Sequence, residues 1–266
     1  MKPVLFLDSG IGGIPYCRHF LERNPGESII YLADRQHFPY GTWKKEDLAA
    51  YLAKFAEQLI QKFDPKIAVI VCNTATLAAM GELRERFPAL PFVGTIPAVK
   101  PASLASKTGR IGVLGTELTI NEPYIRELAA QYGGGEIIGI AAPELVEFVE
   151  NCFYYATDEE KREQALEYLG RFRAAGADTL VLACTHFLFL QEEFQREAAP
   201  DIAVFDSIMG ITARIETLLA ETALTEDSGP PGRDRRQGRM FLTGTAAPEP
   251  SWTAWAESLG FSLSLL

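Results

Sequence analysis

The chain has 266 residues, of which 47% are hydrophobic and 23% charged, enough apolar content for one large domain or two small ones. Its formal net charge of −10 argues against nucleic acid as the main partner, because phosphate backbones select positive surfaces. The longest apolar runs fall far short of the ~18–20 residues of a membrane span. The first apolar run stops at Asp8, too soon for a signal-peptide core. We therefore expect a cytoplasmic protein that has no membrane partner.

Short apolar, β-branched runs alternate with helix-length segments that have 3.6-residue apolar spacing. In chain order, the predicted strands are residues 4–8, 28–34, 67–73, 92–96, 110–116, 136–142, 179–185, 202–206 and 240–243. Helices are predicted between them, for example at 44–63, 158–175 and 208–220. Continuous apolar strands joined by helices are typical of parallel sheets covered on both faces. The sequence therefore predicts an α/β fold.

The strands also repeat in kind along the chain. VLFLDSG at 4–10 resembles IGVLGTE at 111–117, and IAVIVCNTA at 67–75 resembles TLVLACTHF at 179–187. The two copies lie about 110 residues apart, and such a repeat indicates one structural unit used twice. We predict two pseudo-symmetric, doubly wound parallel-sheet domains.

The tail of the chain follows the second copy and contains a further helix and strand. We expect it to return to the first domain, which gives a first domain of 1–96 plus 207–266 and a second of 97–206. Within the tail, residues 222–239 are rich in glycine, proline and arginine, and this composition predicts a surface loop.

Four cysteines are present, namely Cys17, Cys72, Cys152 and Cys184. They form no CxxC pair and no spaced cluster with the three histidines, so neither a zinc site nor a disulfide framework is predicted. Cys17 and Cys152 lie in apolar helical patterns, and we interpret them as packing residues. Cys72 and Cys184 occupy equivalent places in the two copies, each between a buried strand and a polar pair that starts a helix.

A single cysteine at a strand end is more often a core residue than a reactive thiol. The paired placement of Cys72 and Cys184 reverses that expectation, because ligands of open parallel sheets bind at the carboxyl ends of the strands. Two thiols that face each other can remove a proton from one face of a carbon and return one to the other face. The sequence therefore predicts a two-base active site in the crevice between the two domains.

Other polar residues follow the predicted strands. Asp8 and Ser9 open the glycine loop 8–13, whose N–H groups can hold a carboxylate. The four short motifs DSGIGG, PYG, CNTA and CTH contain no lysine or arginine, so neutral groups must bind the carboxylates of a ligand. Such donors are supplied by Ser9, Asn73, Thr74 and Thr185. His186 is either a proton relay for Cys184 or a bystander at a helix start, and Glu150 alone would be expected to face solvent.

Taken in order, DSGIGG (8–13), YLADRQHFPYG (31–41), VCNTA (71–75), GVLGTELTI (112–120) and ACTH (183–186) resemble the glutamate racemase family of the aspartate/glutamate racemases. The resemblance extends over nearly the whole chain. It implies racemisation of glutamate without a cofactor or metal, which would supply D-glutamate for peptidoglycan and so serve cell-wall biogenesis and cell shape. It also implies a homodimer.

The resemblance further implies roles for individual residues. The catalytic cysteines of the family match Cys72, which works on the D-enantiomer, and Cys184, which works on the L-enantiomer. Supporting acid/base or orienting roles match Asp8, Asp34, Glu150 and His186. The substrate-binding pairs match Asp8-Ser9, Tyr40-Gly41, Asn73-Thr74 and Thr185-His186. Where the family usually continues with Tyr-Pro-Leu, this chain has Phe187-Leu188-Phe189, which alters the edge of the pocket or the start of the helix.

Two other functions remain open at this stage. One is racemisation of aspartate or of another amino acid by an enzyme of the same family. The other is a two-lobed protein that binds a small ligand without changing it. Loss of the α-proton in deuterated water separates all three, since a binding protein shows glutamate affinity without exchange.

Overall fold

The computed structural model describes residues 2–133, 135–223 and 238–266. The chain forms two compact units, one of Met1–Thr95 with Ile208–Leu266 and one of Ile96–Ser207. Each unit contains one parallel sheet with helices between its strands, so the predicted α/β class is confirmed. None of the described helices has the length and apolar character that crossing a membrane requires.

The first unit is built on a six-stranded parallel sheet. Its strands are β1 (Val4–Asp8), β2 (Ile29–Ala33), β3 (Ile67–Ile70), β4 (Phe92–Gly94), β9 (Gly238–Leu242) and β10 (Phe261–Leu265). Its helices are α1 (Ile14–Arg23), α2 (Lys45–Phe63), α3 (Asn73–Arg86), α10 (Ile208–Ala223) and α11 (Pro250–Leu259). The strand order is β10-β9-β2-β1-β3-β4, so the end of the chain extends the sheet beside β2.

The second unit is built on a four-stranded parallel sheet. Its strands are β5 (Arg110–Gly115), β6 (Glu136–Ala141), β7 (Thr179–Leu182) and β8 (Ala203–Phe205). Its helices are α4 (Val99–Ala105), α5 (Glu117–Asn121), α6 (Pro123–Gln131), α7 (Pro143–Asn151), α8 (Asp158–Ala174) and α9 (Gln191–Ala198). The strand order is β6-β5-β7-β8.

The second sheet repeats the order of four strands of the first, β2-β1-β3-β4. The register repeats as well. Val4 lies opposite Ile67 in the first sheet, and Ile111 lies opposite Thr179 in the second. These are the residues that the sequence repeat aligns, so the residues that follow β3 and β7 occupy equivalent positions.

Apolar spacing along α2 explains how this helix covers one face of the first sheet. Leu48, Leu52 and Leu59 recur at helical intervals and pack with Leu5 and Leu7 of β1 in one buried cluster. Each such leucine contributes about 1.5–3 kcal/mol when it is fully buried. This packing fixes α2, and with it the side chains that α2 directs toward the end of β2.

The tail differs from the sequence prediction in two places. The strand β10 was not predicted, because its apolar residues alternate with serines, a weak pattern typical of a strand at a sheet edge. The predicted loop 222–239 falls mostly on residues 224–237, which lie outside the described residues. Its first two residues, 222 and 223, are the end of α10, and its last two, Gly238 and Arg239, are the first residues of β9 rather than part of a loop.

Candidate active site

The loop after β1 is fixed by hydrogen bonds to two buried side chains. Oδ1 of the fully buried Asp8 accepts from the N–H groups of Ser9 and Gly10 and from the Ser9 hydroxyl at 3.2 Å. The Tyr31 hydroxyl donates to the Gly10 carbonyl at 2.8 Å and accepts from the Gly13 N–H at 3.1 Å. Asp8 and Ser9 are therefore held together at the carboxyl end of the first sheet.

Gly13 brings this loop close to the strand that leads to the first candidate cysteine. A Cβ atom at position 13 would overlap the side chain of Val71, so only glycine allows this approach. Val71 directly precedes Cys72. The glycine loop therefore packs against Val71, the residue directly before Cys72.

Cys72 lies between β3 and α3 with extended backbone angles, φ −141° and ψ 119°. It is the N-cap residue of α3, and its side chain makes no capping hydrogen bond. The first N–H groups of a helix have no acceptor within the helix, and their partial positive charge stabilises a thiolate or a carboxylate. The thiol is buried, with 7% of the residue exposed. Cys72 thus has the setting of a thiol that can ionise.

The two residues after Cys72 supply buried polar groups. Asn73 and Thr74 form the first turn of α3 and are 3% and 2% exposed. The Asn73 Oδ1 atom is buried and has no hydrogen-bond partner among the described residues. Because buried acceptors are nearly always paired in native proteins, this atom is available to accept from an ammonium group.

Asp34 is the centre of a hydrogen-bond network after β2. Its Oδ2 atom accepts from the hydroxyls of Tyr40 and Tyr51, each at 2.7 Å. Its Oδ1 atom accepts from the Thr243 hydroxyl at 2.7 Å and lies 2.9 Å from Nδ1 of His37. The carboxyl group is fully buried. Asp34 therefore organises the residues around it and is engaged through both of its oxygens.

The two phenols in this network remain protonated. Burial, with the charge of Asp34 and the hydrogen bond to it, raises the pKa of Tyr40 well above its usual value, and Tyr51 and Cys72 add to the rise. The pKa of Tyr51 is raised by burial and by its hydrogen bond to Asp34. Both hydroxyls are therefore donors, and they fix the orientation of the carboxylate.

Cys184 has the equivalent place in the second unit. Its backbone is extended, with φ −136° and ψ 135°, and 6% of the residue is exposed. A 3₁₀ helix, Thr185–Leu190, follows it in place of an α-helix. The sulfur lies 3.9 Å from Nδ1 of His186, and Nε2 of that ring lies 2.9 Å from Oε2 of Glu150. A thiol, an imidazole and a carboxylate therefore form one chain of contacts.

Glu150 belongs to this chain of contacts and its side chain is largely buried, although its position on α7 alone would suggest a side chain that faces solvent. The side chains of Glu150 and His186 are 8% and 3% exposed. Burial acts to lower the pKa of His186, but its contacts with Cys184 and Glu150 outweigh burial and raise that pKa well above its usual value. The raised pKa favours the protonated imidazole, which can stabilise a thiolate at Cys184 or donate a proton to it.

The residues that replace Tyr-Pro-Leu are packed inside the second unit. Phe187 is fully buried, and Leu188 is 6% exposed. The ring of Phe189 meets that of Phe153 edge-on, with 5.2 Å between centroids. These three residues therefore pack beside α7, where Glu150 lies.

The structure places the predicted site residues in two groups, one at the carboxyl end of each sheet. The first group is Asp8, Ser9, Asp34, Tyr40, Gly41, Cys72, Asn73 and Thr74. The second group is Glu150, Cys184, Thr185 and His186. Three residues that the sequence analysis did not identify, His37, Tyr51 and Thr243, contact Asp34. Sequence spacing carries no signal for Tyr51, which belongs to an ordinary amphipathic helix, or for Thr243, which comes from the tail. His37, in contrast, lies three residues after Asp34 within the segment 31–41.

The other two cysteines differ from each other. Cys17 is fully buried in α1, as expected of a packing residue, and burial raises the pKa of its thiol. Cys152, just after α7, is exposed, so the prediction that it packs in the core is wrong. Helix α7 ends at Asn151, one residue before Cys152, so Cys152 does not continue the buried face of the helix. No group of three or more His, Cys, Asp or Glu side chains in the described ranges could hold a metal ion.

Comparison with known proteins assigns the chain to a family. The model of the Asp/Glu/Hydantoin racemase family matches residues 20–213. A glutamate racemase from Sphingopyxis alaskensis is 39% identical over 219 residues, 81% of each chain. One from a Roseiflexus species is 36% identical over 225 residues, 84% of this chain and 81% of the relative.

Solved structures agree with the sequence relatives. Escherichia coli glutamate racemase, in complex with L-glutamate and the activator UDP-MurNAc-ala, superposes with a TM-score of 0.82 and 28% identity. That match covers 100% of this chain and 98% of the other. A glutamate racemase isoform from Bacillus anthracis gives a TM-score of 0.78 with 27% identity, covering 100% and 96% of the two chains.

The family model and these relatives identify a racemase, which is an isomerase. The chain belongs to the Asp/Glu/hydantoin racemase family and, within it, to the glutamate racemases.

Proposed function

We propose that this protein interconverts L- and D-glutamate without a cofactor, with Cys72 and Cys184 as the two bases. The observation that carries the proposal is the equivalence of the two cysteines. Both follow matching strands, have nearly the same extended backbone angles and are buried. The glutamate racemases among the relatives and solved structures support glutamate as the substrate.

The reaction needs one sulfur ionised and the other protonated. The thiolate removes the α-proton, the electron pair of the broken C–H bond stays on the substrate, and the other thiol donates a proton to the opposite face. The roles of the two sulfurs exchange when the direction of reaction reverses. A free thiol has a pKa of about 8.5, so each cysteine needs a neighbour that favours its ionised form. The start of α3 supplies this for Cys72, and His186 supplies it for Cys184.

We assign substrate binding mainly to neutral groups, together with the ionisable side chains of Asp8 and His186. Backbone N–H groups and hydroxyls would hold the two carboxylates of glutamate, and Asn73 Oδ1 would accept from its ammonium group. The binding residues are Asp8, Ser9, Tyr40, Gly41, Asn73, Thr74, Thr185 and His186. This set contains no lysine or arginine, so ionised substrate would be bound mainly by oriented dipoles.

Four acidic or basic groups also have supporting roles in this proposal. Asp8 supports Cys72 from the loop after β1, and Asp34 orients Tyr40. His186 exchanges a proton with Cys184, while Glu150 holds the imidazole and its charge. Glu150 would act through His186, and each of the other three through the thiol or tyrosine nearest to it.

The family resemblance supports three further parts of the proposal. The D-glutamate produced would enter peptidoglycan, which ties the enzyme to cell-wall biogenesis and cell shape. The enzyme would work in the cytoplasm as a homodimer. Sedimentation at low micromolar concentration tests the dimer, and rescue of a strain that requires D-glutamate tests the biosynthetic role.

The substrate is tested by incubating the protein with L-glutamate and L-aspartate, side by side, in deuterated water. We expect deuterium at the α-carbon of glutamate together with formation of the D-enantiomer, and much slower exchange with aspartate. Faster exchange with aspartate would show a different racemase of the family. Glutamate binding without any exchange would show a binding protein and contradict the proposal.

A further inference from the structure

Thr243 connects the tail of the chain to the turn after β2. It directly follows β9 and is 6% exposed. Its N–H donates to the Ala33 carbonyl at 3.1 Å, and its hydroxyl accepts from the Gln36 N–H at 3.1 Å. The same hydroxyl donates to Oδ1 of Asp34 at 2.7 Å. Three hydrogen bonds thus join one tail residue to Ala33, Asp34 and Gln36 around the end of β2.

Arg35 holds the tail in place from the other side. Its Nε atom donates to the Thr243 carbonyl at 3.1 Å, and its Nη2 atom donates to the Ala246 carbonyl. Its Nη1 atom lies 3.3 Å from a carboxylate oxygen of Glu249. The Arg35 side chain is 12% exposed, whereas that of Glu249 is 63% exposed. The Thr243 hydroxyl therefore has a defined position relative to Asp34.

Both oxygens of Asp34 must be held if its orientation is to be fixed. Tyr40 and Tyr51 bind Oδ2, whereas Thr243 donates to Oδ1, which also lies 2.9 Å from Nδ1 of His37. A buried carboxylate that loses one donor reorients or recruits water, because an unsatisfied buried charge is costly. The hydroxyl of Tyr40 would then follow the carboxylate, and the backbone at Tyr40 and Gly41 would move with it.

We propose that Thr243 is a positioning residue for substrate binding, which acts through Asp34 on Tyr40 and so on the Tyr40-Gly41 backbone. This inference rests on the proposed function, in which that backbone binds a substrate carboxylate. It assigns to the tail of the chain a direct part in shaping the first half of the site.

The test compares Thr243→Val, which keeps the shape of the side chain and removes the hydroxyl, with Thr243→Ser, which keeps the hydroxyl. We expect Thr243→Val to raise KM for L-glutamate roughly tenfold, the effect of one charge-assisted hydrogen bond, with little change in kcat. Thr243→Ser should restore the wild-type KM. A serine variant as impaired as the valine variant would overturn the proposal, since a loss of packing alone would then explain both.

Thr212→Val is the matched control. Thr212 is also a buried threonine of the first unit, 1% exposed, and its hydroxyl lies 2.9 Å from Nδ1 of His19. The control loses a buried hydrogen bond that has no connection to Asp34, so KM should stay at the wild-type value. An equal rise of KM in this variant would overturn the proposal.

A second measurement does not depend on activity. The N–H groups of Thr42 and Trp43 donate to the carbonyls of Pro39 and Tyr40. Their hydrogen exchange should be faster in Thr243→Val than in wild type or in Thr243→Ser. If the wild-type protein does not racemise glutamate, the proposed function fails while exchange still decides the positioning claim. Unchanged exchange in Thr243→Val would overturn that claim.

Arg35→Gln serves if Thr243→Val does not fold. It leaves the threonine hydroxyl in the chain but removes the contacts that hold the Thr243 and Ala246 carbonyls. KM should rise in the same direction by a smaller factor, with faster exchange at Thr42 and Trp43. Wild-type values of both quantities in Arg35→Gln would contradict the proposed link from the tail to Asp34.

Discussion

The two units place a cysteine at the same point of the same strand order but surround it differently. Cys72 precedes the 14-residue α-helix α3, and the carboxylates near the end of its sheet, Asp8 and Asp34, are bound by N–H groups and hydroxyls. Cys184 precedes a 3₁₀ helix of six residues and contacts an imidazole that is paired with a carboxylate. The strand order fixes where the sulfur lies, and the residues around it differ between the units.

This difference shows two physical ways to favour a thiolate. An α-helix offers aligned N–H groups and a dipole at its start, and these need no proton. A short 3₁₀ helix has a weaker dipole and poorer hydrogen-bond geometry, so in the proposed mechanism His186 supplies the stabilisation instead. The first device does not depend on pH, whereas the second is lost when the imidazole loses its proton.

Removal of either thiol should have the largest effect. Cys72→Ser and Cys184→Ser should each fold, because serine fits the space, yet lose racemisation in both directions by about 10²–10⁴-fold. A serine hydroxyl is a far weaker acid than a thiol, and every turnover needs both groups. Rates are measured by circular dichroism of glutamate. Cys152→Ser, at an exposed position, is the control and should keep the wild-type rate.

Gly13→Ala should damage only the first unit. The added methyl group would overlap Val71, and relief of that overlap should cost about 1–3 kcal/mol of unfolding free energy and displace Cys72. Gly170→Ala is the control, because a Cβ at this exposed position of α8 meets no atom within 4 Å. That variant should gain about 0.5–1 kcal/mol. Urea denaturation measures the free energy of unfolding of the two variants. Equal values for Gly13→Ala and Gly170→Ala would contradict the close packing of the glycine loop.

In the second unit, Glu150→Gln should shift the pH dependence of kcat/KM. Loss of the carboxylate charge lowers the pKa of His186, so the imidazole deprotonates at a lower pH. The alkaline limb of the kcat/KM profile should therefore move to lower pH, by about one unit or more. A glutamate-to-glutamine change at the exposed Glu147 of the same helix is the control. An unchanged profile in Glu150→Gln would mean that His186 does not set that limb.

His186 should also make stability depend on pH. Its pKa is raised on folding, so the stabilisation that it provides is fully present below its unfolded pKa, about 6.5, and is lost as pH rises through the folded value. The free energy of unfolding of the wild type should therefore fall above neutral pH more steeply than that of His186→Gln. Parallel curves for the two proteins would show that the imidazole is not preferentially protonated in the folded state.

The sequence predicts the sheets because buried parallel strands are continuous apolar runs, and the repeat aligns Val4 with Ile111 as the structure does. The repeat also identifies Cys72 and Cys184, since equal strands end at equal positions. It does not predict the contacts of Asp34 with Tyr51 and Thr243, which depend on side chains 17 and 209 residues away.

The sequence does not predict the contact between Glu150 and His186 either. It joins residues 36 positions apart on α7 and the 3₁₀ helix, and helical spacing alone favours solvent for a glutamate. Local pattern therefore locates the reactive groups along the chain. The groups that tune them come from tertiary packing, which no short motif records.

The central claim is that each thiol serves one face of the substrate, and elimination from a glutamate analogue tests it most directly. An analogue with a leaving group on its β-carbon loses that group once the α-proton is removed, so only the abstracting thiolate is needed. Cys184→Ser should still eliminate from the D-analogue, and Cys72→Ser from the L-analogue. Elimination from the same enantiomer by both variants, or racemisation of glutamate by either one near the wild-type rate, would contradict the account.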